Sequence, residues 1–333
     1  MKRAELASPS TIDSLRIVDR ERPRPGRGEV LMRVRASSLN FHDYLVATGM
    51  LKAAEGRVPM SDGAGEVVEL GEGVSRFAVG DRVMGTYYGG WIDGPPTPAK
   101  VALARGDQID GFAAEYVAVG EQTLTPVPQS LSDVEAATLP CAGVTAWRAL
   151  FDNGQIKPGD SVLVEGTGGV SIFALQFARM AGASVIALTS TAEKAARLKE
   201  LGAAHVVSYV EQPQWGTVVR ELTGGRGVDV VIEVVGGDLS PTIAALRLGG
   251  RAVLIGALSR KPINYSSLAA ILGNASVSAL TVGSREHQED MVRAIDANGL
   301  KPVVDRIFPL EEIREAFRFQ EEKRHFGKIA LAW

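Results

Sequence analysis

Between Ser161 and Ser284 the chain repeats one rhythm, a short apolar run, a turn and then an amphipathic stretch. The runs are SVLVEG, SVIALTS, HVVSY, VDVVIEVVG, RAVLIGAL and SVSALTVGS. Strands that are apolar on both faces belong inside a parallel sheet covered by helices. The connecting FALQFARMAGA and AEKAARLKELGA carry apolar residues three and four apart, which gives each a single buried face. Six such strands with helical crossovers predict an α/β fold built on a doubly wound parallel sheet.

The rest of the chain reads differently. From Arg16 to about Val119, strands are broken by glycine (GEVLMRVRASSLN, GAGEVVELGEGV, VGDRVMGTYY, FAAEYVAV), without long helical periods, as in a compact β-rich unit. Tyr88 to Gly111 holds three prolines and several glycines and reads as a long loop of the kind that lines sites. After Ser284 come a helix (HQEDMVRAIDANG), a strand (VDRIFPL), a helix (EEIREAFRFQ) and a last strand (GKIALAW), expected to return to the β-rich unit. The expected division is residues 126–283 for the doubly wound domain, inserted into a β-rich domain made of residues 1–125 and 284–333.

Composition narrows the partners. A formal charge of −3, from 36 basic and 39 acidic side chains, leaves no basic excess to neutralise a run of phosphates, so no nucleic acid is expected. No apolar run reaches the ~20 residues needed to span a bilayer, and no membrane partner is expected. The single cysteine, Cys141, rules out an intrachain disulfide and a four-cysteine zinc lobe, and fits a reducing cytoplasmic location.

The strand Ser161–Glu165 runs straight into Gly166, Thr167, Gly168, Gly169, Val170 and Ser171, and then into a helix. A glycine-rich turn at that junction lets backbone amides approach a diphosphate at the positive end of the helix. At the end of the next strand, NAD-binding proteins place an acid against the ribose hydroxyls. Here stand Thr189, Ser190 and Thr191, with Lys194 one turn into the next helix, a set that favours a 2′-phosphate and hence NADPH/NADP+. The alternative is that Ser190 caps the helix and Lys194 faces solvent.

The stretches GTGGVSIFALQFARMAGASVIALTS, TGGRGVDVVIEVVG, GEGVSRFAVGDRV and EAATLPCAGVTAW together resemble the medium-chain dehydrogenase/reductase superfamily, nearest its zinc-independent quinone-oxidoreductase-like and alcohol-dehydrogenase-like members. The resemblance implies a GroES-like catalytic domain at both ends of the chain, a Rossmann domain between them and an active site in the cleft. It places Ser190, Lys194 and Tyr209 at the adenosine phosphate, the alternative for Tyr209 being a surface aromatic after the third strand. It puts Thr145 at the nicotinamide and Phe326, Gly327 and Lys328 of the closing HFGKIAL at the cofactor. Gly256, Leu258, Val282 and Ser284, in the second halves of the last two apolar runs, complete the expected cofactor contacts. A homodimer through the edge strand Ser276 to Val282 is implied too, since an open edge invites pairing.

Zinc-dependent members hold their metal with an early cysteine, a His-Glu pair and a later thiolate. Those positions here read Asn40, Ser61-Asp62 and Cys141. A catalytic zinc needs three protein ligands, so no metal is expected.

Reduction of a carbonyl, enone or quinone builds negative charge on the substrate oxygen, which hydrogen-bond donors in a dry cleft must then stabilise. Asn40, in the lost ligand position, is read either as that donor or as a loop-tying asparagine. His42 falls where zinc members keep the hydroxyl of their proton relay, and imidazole titrates near neutrality; it is otherwise a partly exposed residue on a helical turn. Asp43 is read as structural. Tyr44 is a further candidate donor, one position away from the tyrosine of the quinone-reductase pattern, where this chain has Leu45. Tyr87, Tyr88 and Trp91 either line a pocket for an apolar substrate or simply pack. The expected function is zinc-independent, NADPH-dependent reduction of quinones, enones or small carbonyls. A metal-free alcohol or aldehyde dehydrogenase and a non-catalytic NADPH-binding or sensing protein are the alternatives.

Overall fold

The computed structural model describes residues 1–256 and 258–333. Contacts divide the chain into two compact units, Met1–Val144 with Gly283–Trp333, and Thr145–Val282.

The first unit is organised around the strand Glu29–Ser38, whose side chains are mostly buried. In its seven-stranded sheet the order is Val304–Pro309, Lys328–Ala332, Glu29–Ser38, Ala64–Leu70, Arg82–Gly85 and Leu124–Pro126, with Tyr116–Gly120 also pairing Glu29–Ser38. All of these pairings are antiparallel except the first, Val304–Pro309 with Lys328–Ala332. Because the C-terminal strand pairs Glu29–Ser38 directly, the two ends of the sequence share one core. Register then fixes what meets: Ala330 lies opposite Ser38 and Ala36 opposite Ala64. Continuing each pairing by two residues puts Lys328 across from Asn40 and Asp62 across from Ser38. Phe112 fills the centre of the sheet face, and a Cβ at Gly63 or Gly85 would come within 2.3 or 2.1 Å of its ring, so only glycine fits at those two positions.

The second unit is a six-stranded parallel sheet in the order His205–Ser208, Ser184–Thr189, Ser161–Glu165, Val228–Glu233, Leu246–Leu254, Ser276–Ala279. This is the doubly wound order, with its direction reversing between Ser161–Glu165 and Val228–Glu233. Every residue of Val228–Glu233 is buried, including Asp229 and Glu233 near its two ends, as expected of a central strand in a covered sheet. Helices Gly169–Met180 and Ala192–Glu200 occupy the two stretches with helical spacing.

Three boundaries differ from the sequence reading. Residues 126–144 pack with the first unit, because Leu124–Pro126 pairs Arg82–Gly85 and the Cys141 amide reaches Asp62. The strand read as RAVLIGAL begins at Leu246 and stops at Leu254, and the last strand stops at Ala279. The long loop Tyr88–Gly111 contains a short helix, Pro98–Val101, capped by Thr97. Among the described residues no helix is long and apolar enough to cross a membrane.

Candidate functional site

In the second unit, Gly166 leaves its strand at φ +73°, a conformation that side chains resist. A Cβ built at Gly166 or Gly168 would meet nothing within 4 Å, so the turn presents open backbone. Gly168 is the N-cap of helix Gly169–Met180 and no side chain caps it, which leaves the first-turn amides to an external anion. Thr167 is buried and Val170 half-buried. Ser171, in place of the third glycine, is buried and donates its hydroxyl to the Glu165 carbonyl at 2.6 Å, locking helix to strand. This open cradle fits a diphosphate.

At the next strand end the helix cap is Thr191, whose hydroxyl accepts from the Lys194 amide at 3.3 Å. Ser190 is therefore not the cap and stands exposed. The Tyr209 amide donates to the Thr189 carbonyl at 3.1 Å, and Tyr209 is 44% exposed. Ser190, Lys194 and Tyr209 thus gather at the carboxyl ends of two neighbouring strands, with no carboxylate in Thr189–Ala192.

The other expected cofactor contacts divide. Thr145 is buried at the start of the second unit. Gly256 is required by packing as well, since a Cβ there would lie 2.4 Å from the Val234 carbonyl. Leu258 is exposed, and Val282 is buried at φ +38°. Two assignments need correction. Ser284 is buried and its hydroxyl caps helix Arg285–Asn298, bonding His287 at its amide (3.3 Å) and Nδ1 (2.7 Å). Lys328 is 3% exposed with its ammonium committed inside the first unit, while Phe326, like Thr145 and Val282, is buried.

That commitment defines the second candidate region. Lys328 Nζ donates to the Leu39 carbonyl at 2.7 Å and to Asn40 Oδ1 at 2.5 Å, and lies 3.5 Å from Asp62 Oδ2. Asn40 Nδ2 in turn donates to Asp62 Oδ2 at 2.7 Å and to Ser61 Oγ at 3.3 Å. Asp62 also accepts from Ser38 Oγ at 2.6 Å and, on its other oxygen, from the Cys141 amide at 2.9 Å. Asp43 accepts from the Asn40 and Ser61 amides at 2.9 and 2.7 Å. Burial pushes the Asp62 carboxyl up, and the Lys328 ammonium opposes that shift. Both amide groups of Asn40 are spent in this net, so Asn40 ties the site together rather than facing outward as a donor.

His42, on the first turn of helix Phe41–Ala47, is held between two carboxylates. Its Nδ1 is 3.6 Å from Asp43 Oδ1 and its Nε2 3.5 Å from Asp107 Oδ2. Both nitrogens are buried and neither makes a hydrogen bond of normal geometry. Burial works against the charged ring, but Asp107 and Asp43 outweigh it and raise the group to about 9. The ring also meets Tyr87 edge-on at 5.2 Å, and Tyr87, Tyr88 and Trp91 continue as a chain of buried rings. Trp91 is 1% exposed and packs, while Tyr87 is the ring that borders His42.

Tyr44 is a correction. Its hydroxyl donates to Glu321 at 2.9 Å and its ring stacks on Phe41, so the helix turns it away from Asn40 and His42. Asp107 was missed, because nothing in the loop's composition distinguishes it from Asp110; only the fold brings it to the imidazole.

The positions that hold zinc in the zinc-dependent pattern do not fit that ion here. Asn40, Ser61, Asp62 and Cys141 offer one carboxylate and one thiol, the carboxylate is already bonded, and the Lys328 ammonium beside it repels a divalent cation. Burial raises the Cys141 thiol well above its usual range, so it is not a ready thiolate. Among the described residues no group of three His, Cys, Asp or Glu side chains is placed to hold a metal.

Residues 26–129 match the alcohol dehydrogenase GroES-like domain, and residues 169–297 match the zinc-binding dehydrogenase family. The chain is 40% identical to a zinc-type alcohol dehydrogenase-like protein of Schizosaccharomyces pombe, over 97% of this chain and 96% of that one. It superposes on the crystal structure of an NAD-dependent alcohol dehydrogenase with a TM-score of 0.91 at 33% identity, covering 100% of both chains. A thermostable alcohol dehydrogenase from Pyrobaculum aerophilum, solved with cobalt and zinc bound, gives 0.84 at 29% identity, covering 100% of this chain and 99% of that one.

Proposed function

The chain belongs to the medium-chain dehydrogenase/reductase superfamily, and from that premise we propose that it is an NADPH-dependent oxidoreductase that reduces small carbonyls, enones or quinones without a metal ion. Its alcohol dehydrogenase-like relatives make it an oxidoreductase that uses a nicotinamide cofactor. When bound, that cofactor supplies the hydride.

The observation that carries the reading is His42, a buried imidazole with unsatisfied nitrogens between Asp43 and Asp107. Held protonated at neutral pH, it offers a positive charge and a proton to an oxygen that becomes negative during reduction. Lys328 supplies a second fixed charge, but it is enclosed by Leu39, Asn40 and Asp62 and its role is to position them. Amides at the Gly166–Gly169 turn hold the diphosphate, and Ser190, Lys194 and Tyr209 receive the 2′-phosphate. Thr145, Gly256, Leu258, Val282 and Phe326 remain proposed contacts along the rest of the cofactor. The edge strand Ser276–Ala279 supports a homodimer formed by strand pairing.

The names of the relatives favour a second reading, oxidation of an alcohol by the same residues, with His42 first losing its proton and then accepting one. NADPH oxidation measured against ketones, enals and quinones, beside NADP+ reduction with secondary alcohols, tests both. Turnover of none of these classes, with tight NADPH binding, would leave a binding protein instead.

A further inference from the structure

The point where the doubly wound sheet reverses direction contains a pair of side chains with no part in the mechanism above. Glu165 is the last residue of the strand leading into Gly166, and Glu233 ends the neighbouring strand. The parallel register pairs Ile232 with Val164, which makes Glu165 and Glu233 lateral neighbours on one face. Both are buried, at 4% and 2% exposure.

Their surroundings differ. Glu233 is fully provided with donors: Oε1 accepts from the Val235 and Gly236 amides, each at 2.9 Å, and Oε2 from the Thr242 hydroxyl at 2.7 Å. Glu165 has the Val234 amide at 3.3 Å. Among the described residues neither carboxyl makes an ion pair, and the groups that bond them from the strand ends and from helix Ser240–Ala245 are backbone amides and Thr242, none of them titratable. Two adjacent buried carboxylates cannot both remain charged without a cation. The donors select Glu233 to carry the charge and leave the proton on Glu165. Burial, and then Glu233 itself, push the Glu165 carboxyl well above the usual carboxylate range.

We propose that Glu165 and Glu233 share one proton, and that this pair is a positioning device which keeps the backbone at Gly166 receptive to an anionic dinucleotide. With the proton in place, Glu165 bonds Glu233 and joins the two strand ends beneath the turn. Loss of the proton to solvent puts a second negative charge directly behind amides that must attract a diphosphate. Dinucleotide uptake is then favoured by protonation of a group that never touches the ligand. The binding half of the proposal rests on the turn being the cofactor site; the shared proton does not.

The test uses the full-length protein and Glu165→Gln, which keeps shape and a donor but cannot titrate. Infrared spectra of both, without cofactor at neutral pH, should differ by one protonated-carboxyl carbonyl band, present only in the wild type. NADP+ affinity, measured by calorimetry from about pH 7 to about pH 10, should weaken in the wild type by up to tenfold per pH unit above the pair's midpoint, and stay within about twofold in the variant. Absence of the band overturns the shared proton. A band with parallel pH profiles in the two proteins overturns the coupling. A band with no NADP+ or NAD+ uptake at any pH overturns the reading of the turn while leaving the proton in place. If Glu165→Gln does not fold, Thr242→Val supplies the second variant. Removing a donor from the anion should raise the fraction of charge on Glu165 and move the wild-type affinity profile along the pH axis, and an unmoved profile overturns the proposal.

Discussion

The turn at Gly166–Ser171 and the net around Lys328 are built on opposite principles. The turn is six consecutive residues whose proposed function lies in backbone amides, so the open backbone follows from the local strand, turn and helix alone. The net draws on Ser38–Asp43, Ser61–Asp62, Asp107, Cys141 and Lys328, and its function lies in side chains that meet only after the sheet has closed. A local site tolerates change elsewhere in the protein, whereas a site assembled through register depends on every strand that sets the register.

Substitutions should separate the two regions. The largest effect is expected at His42: His42→Gln should lower kcat for carbonyl reduction by about 10²- to 10⁴-fold, with NADPH affinity unchanged, because the proton donor is lost and the turn is intact. Retained turnover in stopped-flow NADPH oxidation would reduce His42 to a packing residue. Next is the net itself. Asp62→Ala leaves the Lys328 ammonium buried without its carboxylate and should cost about 3–5 kcal/mol of stability in urea unfolding; a loss below ~1 kcal/mol would mean that the net is not closed in solution.

The pH dependence sharpens the same contrast. A histidine raised to about 9 keeps its proton through neutrality, so the reduction rate should hold at neutral pH and fall as pH rises through about 9. The imidazolium likewise stabilises the fold below its unfolded value, and that contribution is lost as pH rises through the folded one. Asp107→Asn removes one of the two charges that raise it, and should move the alkaline limb of the rate profile to lower pH. At the other region, Ser190→Asp should weaken NADPH binding about tenfold and leave NADH nearly unaffected. Equal effects on the two cofactors would remove Ser190 from the 2′-phosphate. Thr191→Ala, which deletes only the helix cap, should cost about 1 kcal/mol in thermal unfolding and serves as the control for Ser190.

The alternation of apolar runs predicted all six strands of the second unit and the turn after the first. It misjudged where the last two strands stop and where the insert begins, since an apolar run does not record where hydrogen bonding to a neighbour ends. In the first unit, Asn40 and His42 were picked out by their place on the chain. Tyr44 was picked out on the same ground, yet helix Phe41–Ala47 aims it at Glu321. The family pattern put Lys328 and Ser284 at the cofactor, whereas the fold spends their polar atoms on Asn40 and on a helix cap.

By itself the sequence determined the doubly wound sheet, the open glycine turn and the lack of an acid at the second strand end, because periodicity, glycine placement and a missing carboxylate are properties of neighbouring residues. Only the tertiary structure decided that Lys328 bonds Asn40 from 288 positions away, that Asp107 reaches His42, and that Glu165 lies beside Glu233. Those meetings depend on strand register and loop path, and both are set by pairing energies summed over whole sheets rather than by any residue's immediate surroundings.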